Sequence, residues 1–480
     1  MGTVLLRNIK MSIHIFEDLV EFIEAKINDN IWLFGDKLPS IRCLAAEHGV
    51  SKNTVIRALM ELEQKGLVEA KPKVGYFVSK INKTHKIPQQ LYPNLAPLEV
   101  TVPEIFYDIM SRSAAFDILP KSTPLPPSNH LIELNRHISR ALRDSVHNKS
   151  MYYDSPLGLE SLRQQIKDRY RLRGLSLGVD DFCITSGCQH ALFLALLVTC
   201  KPGDNVAVES PAFYGVVQLL EQLNLNIIEV SASAVSGLDP DELEKALAHW
   251  QIKACIVTPT FATPTGSTMP VKAREKLISL ANAHDFAVIE DDIYGELSFT
   301  NNIAPLKALD SQQRVILCSS FSKSLSRDLR IGWIAAGRWQ DDVVRLKLTS
   351  QLASCQTQQQ GIASFISSGG FRRHLDHFTR TLQHQRQQLL TALAKYWPNN
   401  IRYTVPKGGI ALWLELDSNI DTAKLYNETI KETIIITPGA LFTCSNYYRN
   451  YIRLSFNHPT VGKREKAIKT LGQLIKNHST

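Results

Sequence analysis

The sequence predicts an α/β protein in which a body of about 350 residues, built on a mostly parallel central sheet, follows a small N-terminal helical unit that ends in a two-stranded wing. Three observations lead there. Five apolar runs of strand length, "DFCIT", "NVAVE", "ACIVT", "FAVIE" and "RVILC", are near-continuous rather than alternating, as strands buried on both faces are. Residues 39 to 79 carry two capped helical patterns and a short hairpin. Between these regions, over residues 81 to 129, periodicity gives way to proline.

A chain of 480 residues exceeds what one hydrophobic core organises, so separate units are expected at 11–80, 81–129 (a linker) and 130–480. The 44% hydrophobic content suits packed cores. No apolar run approaches the ~20 residues that span a bilayer, and no cleavable signal opens the chain, so a cytoplasmic protein without a membrane partner is expected. The eight cysteines lack CxxC spacing, and Cys43, Cys183, Cys200 and Cys255 lie among apolar neighbours. Neither a metal site nor a disulfide is expected. The net charge of +8 is unevenly spread. Met11 to Asp36 has one base, Lys26, among acids, whereas Lys37 to Lys80 holds eight bases against four acids and is the stretch that can meet phosphate.

In the N-terminal unit, "PSIRCLAAEHG" begins with Ser40 as N-cap, sets Ile41, Leu44 and Ala45 on one face and stops at Gly49. Ser51 caps "SKNTVIRALMELEQKG", whose Val55, Leu59 and Leu62 form a buried stripe opposite Lys52, Asn53, Thr54 and Arg57. "LVEAKPKVGYFVS" then reads as a basic hairpin around Lys71, Pro72, Lys73 and Gly75. Any one of these is an ordinary solvated helix or turn; their order within one short stretch describes a winged helix-turn-helix. The blocks "LPSIRCLA", "VSKNTVIRALMELEQKGLV" and "GYFV" resemble the DNA-binding domain of GntR-type bacterial regulators. That resemblance implies double-stranded DNA as partner, with Arg42, Ser51, Lys52, Thr54 and Arg57 facing it and Lys71 and Lys73 approaching phosphates or the minor groove. In the linker, Pro88, Pro93 and Pro97 favour an extended chain, and "EIFYDIMSRSAAF" a short helix.

Each of the five strand patterns ends in a turn rich in polar chemistry, and in an open α/β sheet such turns share one crevice. "SGCQ" opens an apolar helix, so the amides of Gly187, Cys188 and Gln189 can face an anion. Ser320, Ser322 and Arg330 in "SSFSKSLSRDLRIGW" add donors for the same anion. For a pyridine ring bearing a phosphate and an aldehyde, Lys323 would supply the amine, its pKa lowered by burial beside Arg330. Asp291 would hold the ring nitrogen protonated, Tyr294 would bond the ring's phenolate oxygen, and Phe213 would stack on the ring.

The blocks "YYDSPLGLESLR", "TSGCQHAL", "ESPAFYG", "TPTG", "IEDDIYGEL", "SFSKSLSRDLRIGW", "PKGGIALWLEL" and "YIRLSF" resemble fold-type I aminotransferases dependent on pyridoxal 5′-phosphate. The resemblance implies that cofactor on Lys323 and a substrate carboxylate on Arg453. It also marks a departure: Thr263 stands where such enzymes usually have asparagine. With the winged helix in front, the whole chain resembles the MocR subgroup of GntR-type regulators, which implies a homodimer. The expected function is a transcriptional regulator that senses pyridoxal phosphate, an amine or an amino acid through an aldimine at Lys323. A working aminotransferase that carries a DNA-binding unit is the alternative, and a sensor of the cofactor alone a third reading.

Overall fold

The computed structural model describes residues 16–27, 31–32, 35–71, 74–79, 86–100, 102, 104–111, 117–119, 128–145, 153, 155–300 and 302–478. The N-terminal unit contains α1 (16–27), α2 (Ile41–Glu47), α3 (Lys52–Gln64), β1 (Val68–Lys71) and β2 (Gly75–Val78). Both expected caps form: Ser40 Oγ accepts the Cys43 N–H at 3.2 Å and Ser51 Oγ the Thr54 N–H at 3.1 Å. Each satisfies an amide that the first turn leaves without an intrahelical partner. Gly49, at φ +63°, turns the chain between the helices, a conformation that costs a side-chain-bearing residue more. Val55, Leu59 and Leu62 pack with Leu19, Ile23, Leu44 and Val68 in a core of their own. The wing pairs antiparallel from Val68 opposite Val78 to Lys71 opposite Gly75.

Of the segment expected as a linker, residues 86–100 and 102 run along the body. The Leu98 N–H and C=O bond both backbone groups of Ile227, Gln89 N donates to Glu415 at 2.8 Å, and Ser231 Oγ donates to Leu91 O at 2.6 Å. The expected short helix is α4 (Glu104–Ser111), whose Phe106 and Ile109 are buried in the body's core. An extended chain with prolines has no helical or strand period. It can still dock its scattered apolar groups, here Leu91, Leu95 and Leu98, provided its amides find partners along the way.

The body continues through α5 (Asn129–Ser145), α6 (Glu160–Leu172), β3 (Cys183–Thr185), α7 (Cys188–Thr199), β4 (Asn205–Ser210), α8 (Tyr214–Gln222), β5 (Asn226–Ser233), β6 (Gly237–Leu238), α9 (Pro240–Leu247), β7 (Ile252–Val257), α10 (Val271–His284), β8 (Ala287–Asp291), β9 (Val315–Ser320), α11 (Phe321–Ser324) and β10 (Gly332–Ala335). All five predicted strands are present. They lie in an eight-stranded sheet of order β3-β10-β9-β8-β7-β4-β5-β6. β4, β5, β7, β8 and β9 pair parallel; β10 runs antiparallel to both β3 and β9, and β6 to β5. The strand interiors are buried throughout, which explains their unbroken apolar runs.

Beyond α12 (Gln340–Ser350), α13 (Gln356–Ser367) and α14 (Gly370–Tyr396) lies a second sheet of β11 (Arg402–Tyr403), β12 (Ala411–Glu415), β13 (Thr437–Pro438) and β14 (Tyr451–Ser455). It is antiparallel, in the order β11-β12-β14-β13, and α15 (Thr422–Thr429) and α16 (Lys463–His478) accompany it. This sheet carries Arg453 at the middle of β14, opposite Trp413. Among the described residues no helix is long and apolar enough to cross a membrane, and no cluster of His, Cys, Asp and Glu could hold a metal ion.

Candidate functional site

At the carboxyl ends of the parallel strands lies a cavity of about 160 Å³. Its wall holds every residue expected around the cofactor except Gly187, and adds Leu192 and Ile293, which the sequence had not singled out. Chain connectivity explains the convergence. Parallel strands bring the turns after β3, β4, β7, β8 and β9 to one edge of the sheet, so Cys188, Phe213, Thr263, Asp291 and Lys323 meet across up to 135 residues of sequence.

Gly187 forms the N-cap of α7 at φ +94° and supports the wall from behind. A Cβ there would fall 2.5 Å from Arg330 Nη2. Arg330 itself takes a left-handed backbone (φ +49°), so its guanidinium can bridge two loops: Nη1 donates to Ser322 Oγ at 3.3 Å and Nη2 to Ser186 O at 3.0 Å. Ser320 Oγ caps α11 by accepting the Ser322 N–H at 3.2 Å. The mouth of the cavity thus gathers a helix N-terminus, two hydroxyls and a guanidinium, the donor set a phosphate requires.

The Lys323 amine is pushed down to about 7. Burial is the main cause, and Arg453 is the leading positive charge that adds to it; Asp291 opposes the shift, and Arg327 and Arg330 contribute less. Arg330, expected to drive the shift, is therefore a minor contributor. It is solvent-exposed, and screening weakens its effect, whereas Arg453 is buried. Although part of the Lys323 side chain is accessible, that access opens into the cavity it lines, and the amine end sits deep.

Asp291 ends β8. Its Oδ1 accepts the Ile293 N–H at 3.1 Å and the Cys188 thiol at 3.3 Å, while burial pushes its carboxyl up to about 6 despite those bonds. The thiol contact was not anticipated: the sequence pointed to the Cys188 amide and treated cysteines as inert packing. Cys43, expected among apolar neighbours, is exposed, and all eight cysteines are free. Behind Asp291, Asp292 is held by Arg173 through both carboxylate oxygens (2.5 and 2.8 Å) and by the Tyr170 hydroxyl at 2.9 Å. This buried brace fixes the turn from which Asp291 and Tyr294 project. Tyr294 is fully buried, and burial raises its phenol. Thr263 Oγ1, beside Tyr294, is buried without a well-formed hydrogen bond. Arg453 is not part of the cavity wall, but its charge is felt at both Lys323 and Tyr294.

In the N-terminal unit Arg42, Ser51, Lys52, Arg57 and Lys71 are exposed and Thr54 is half-buried. Ser51 Oγ lies 2.8 Å from Thr54 Oγ1, so both hydroxyls are already engaged in the cap. Arg57 lies over the Phe16 ring at 4.5 Å and Lys71 over Phe77 at 4.3 Å, contacts that pre-orient both cations. Lys73 lies outside the described residues.

Residues 125–471 match the family Aminotransferase class I and II, and residues 16–78 match the gntR family of bacterial regulatory proteins. YjiR of Escherichia coli K12, described as an HTH-type transcriptional regulator, is 34% identical over 96% of this chain and 98% of its own length. YdcR of the same organism, described likewise, is 33% identical over the same shares. The chain belongs to the MocR subgroup of GntR-type transcriptional regulators. Among solved structures, the fold of this MocR-type body is similar to kynurenine aminotransferase of Pyrococcus horikoshii (TM-score 0.72, 28% identity, 80% of this chain and 96% of that one). It is also similar to the α-aminoadipate aminotransferase LysN of Thermus thermophilus (TM-score 0.70, 26% identity, 78% and 95%). The class I and II aminotransferase fold is that of pyridoxal-phosphate-dependent proteins, and the residues of the MocR-type cavity fit the group. A depressed amine lies near a carboxylate with one oxygen left for a ring nitrogen, and at the anion end a Cβ on Gly187 would collide with the Arg330 guanidinium.

Proposed function

We propose that the protein is a DNA-binding transcriptional regulator whose body captures pyridoxal phosphate at Lys323 and whose winged helices answer to the occupancy of that site. The observation that carries this reading is a buried lysine held near neutrality beside Asp291, in the same chain as a helix-turn-helix with an exposed basic face. When bound, the cofactor supplies an aldehyde that a neutral amine captures with loss of water, and an electron-withdrawing ring.

The chain's own groups do the rest. The α7 N-terminus, Ser320, Ser322 and Arg330 hold the phosphate. Asp291 keeps a proton on the ring nitrogen, Phe213 covers the ring, and Arg453 offers a planar fork to a carboxylate, a geometry lysine lacks. An amine or amino acid that exchanges onto the site, or the cofactor itself, then shifts the balance between two arrangements of the DNA-binding units, provided it binds one arrangement better than the other. Two such units in a homodimer would read two half-sites of an operator.

The test titrates operator DNA from beside the gene against protein with and without pyridoxal phosphate, for the native chain and for Lys323→Ala. A several-fold change in operator affinity that the lysine variant abolishes supports the reading. Identical affinities throughout would remove the link between cofactor and DNA. Sustained turnover with amino and 2-oxo acids, at about 1 per second or more, would instead mark a working aminotransferase, for which Thr263 offers a shorter donor than asparagine.

A further inference from the structure

The hydroxyls of Tyr214 and Thr263 are buried, each residue being 5% exposed, and neither has a well-formed acceptor for its proton: Tyr214 meets the Arg453 guanidinium, which only donates, and Thr263 meets the Tyr294 phenol. An interior hydroxyl left unpaired costs about 1–3 kcal/mol. Thr263 lines the cavity and Tyr214 directly follows Phe213, which also lines it, so the pair marks a place where a polar group can arrive.

Tyr214 opens α8 directly after the cavity residue Phe213, whose ring centroid is 4.5 Å away. Phe106 at 5.3 Å and Phe442 at 5.9 Å hold the ring from other sides. The backbone leaves room for this packing because residue 215 is glycine: a Cβ there would meet the Phe213 ring at 2.5 Å. The Tyr214 ring is therefore pinned, with the guanidinium carbon of Arg453 5.8 Å from its centroid; burial raises its phenol, and the charge and hydrogen bond of Arg453 only partly oppose that rise. Tyr294 feels Arg453, Tyr214 and Thr263 together, which places all four in one corner on the Arg453 side of Lys323.

The chemistry of that corner is one-sided. A guanidinium has donors and no acceptor, and the Tyr214 hydroxyl that meets it still has a proton to give, as has the Thr263–Tyr294 pair. Asp291, the acid that faces Lys323, already receives the Cys188 thiol and the Ile293 amide on one oxygen. A ligand that satisfies a cation and neighbouring hydroxyl donors together is a carboxylate, with two oxygens and about four lone-pair sites.

We propose that Tyr214 is a specificity-determining residue of the effector site. Its O–H donates to the carboxylate of an α-amino acid seated on Arg453, and Thr263 Oγ1 is the adjoining donor. The assignment rests on the proposed function and narrows it: the effector is an amino acid, not a simple amine, and Tyr214 helps to tell them apart.

The test uses the full chain loaded with pyridoxal phosphate, native and Tyr214→Phe, which keeps the ring and removes the hydroxyl. Each is titrated with the common L-amino acids one at a time, and with the amine that corresponds to each without its carboxylate, while the cofactor absorbance is followed. The proposal expects the variant to lose about ten-fold or more in apparent affinity for the amino acid that the native protein binds, as loss of one hydrogen bond to a charged group does. It expects a change of less than about two-fold for the matching amine and for uptake of the cofactor. Equal affinities in the two proteins, or equal losses for amino acid and amine, would overturn the role of Tyr214 and leave the proposed function standing. A native protein that takes up the cofactor but answers to no amino acid would overturn the amino-acid effector, and this assignment with it. No cofactor uptake by the native protein would overturn both.

Discussion

Raising the pH through neutrality should switch Lys323 on as a nucleophile. An ordinary lysine titrates near 10.5, and burial together with Arg453 brings this one to about 7. At pH 7 half of the buried amine is then neutral, against about one part in 3,000 for an unperturbed lysine, a thousand-fold gain in competent nucleophile. Because the neutral form is the product of deprotonation, capture of pyridoxal phosphate by cofactor-free protein should accelerate about ten-fold per pH unit below neutrality and level off above about pH 8. Stopped-flow absorbance between pH 5.5 and 9.5 measures it. Arg453→Met removes the leading positive charge on the amine. Loss of a nearby unit charge in a buried site shifts a titration by about 1–3 units, so the midpoint should rise toward the ordinary lysine range, by about one pH unit or more. A native midpoint close to 10, or one that Arg453→Met leaves in place, would refute the argument that burial and Arg453 prepare this amine.

Three further outcomes follow from the geometry. Gly187→Ala pushes a methyl group against Arg330 Nη2 at 2.5 Å in a left-handed backbone; it should weaken binding of pyridoxal phosphate about ten-fold or more while changing that of pyridoxal, which lacks the phosphate, far less, and equal losses in an absorbance titration would contradict the anion cup. Arg173→Met leaves Asp292 buried without its cation and should lower the unfolding free energy by about 3–5 kcal/mol in a denaturant titration; a loss under about 1 kcal/mol would mean that the pair braces nothing. Arg57→Ala should weaken operator binding by about 1–3 kcal/mol in fluorescence anisotropy while the cofactor spectrum stays unchanged, and unaltered affinity would count against the placement of α3 on DNA.

Much of the fold was legible because its signals are local. Ser40 and Ser51 announce helix starts, Gly49 a turn, and unbroken apolar runs the buried parallel strands. The residues that line the cavity could be grouped because they come after such strands. What escaped is non-local. The run from Lys86 to Val100 has no period, since its apolar residues dock one at a time while its polar groups bond Ile227, Ser231 and Glu415. Arg330, seven positions from Lys323, looked like the charge that tunes it, whereas Arg453, 130 positions away on the second sheet, acts more strongly because it is buried beside the amine. The Cys188 thiol, the Arg173–Asp292 brace and the aromatic wall around Tyr214 are likewise contacts between distant segments, which no window of sequence contains.

Whether Lys323 carries the cofactor while the same molecule holds DNA can be measured directly. The native protein is incubated with pyridoxal phosphate and operator, reduced with borohydride, recovered as the protein–DNA complex and digested for mass spectrometry. The account predicts the mass of the reduced phosphopyridoxyl group on the peptide containing Lys323, and its loss in Lys323→Ala. An unmodified peptide, or the same label on other lysines in both proteins, would contradict it.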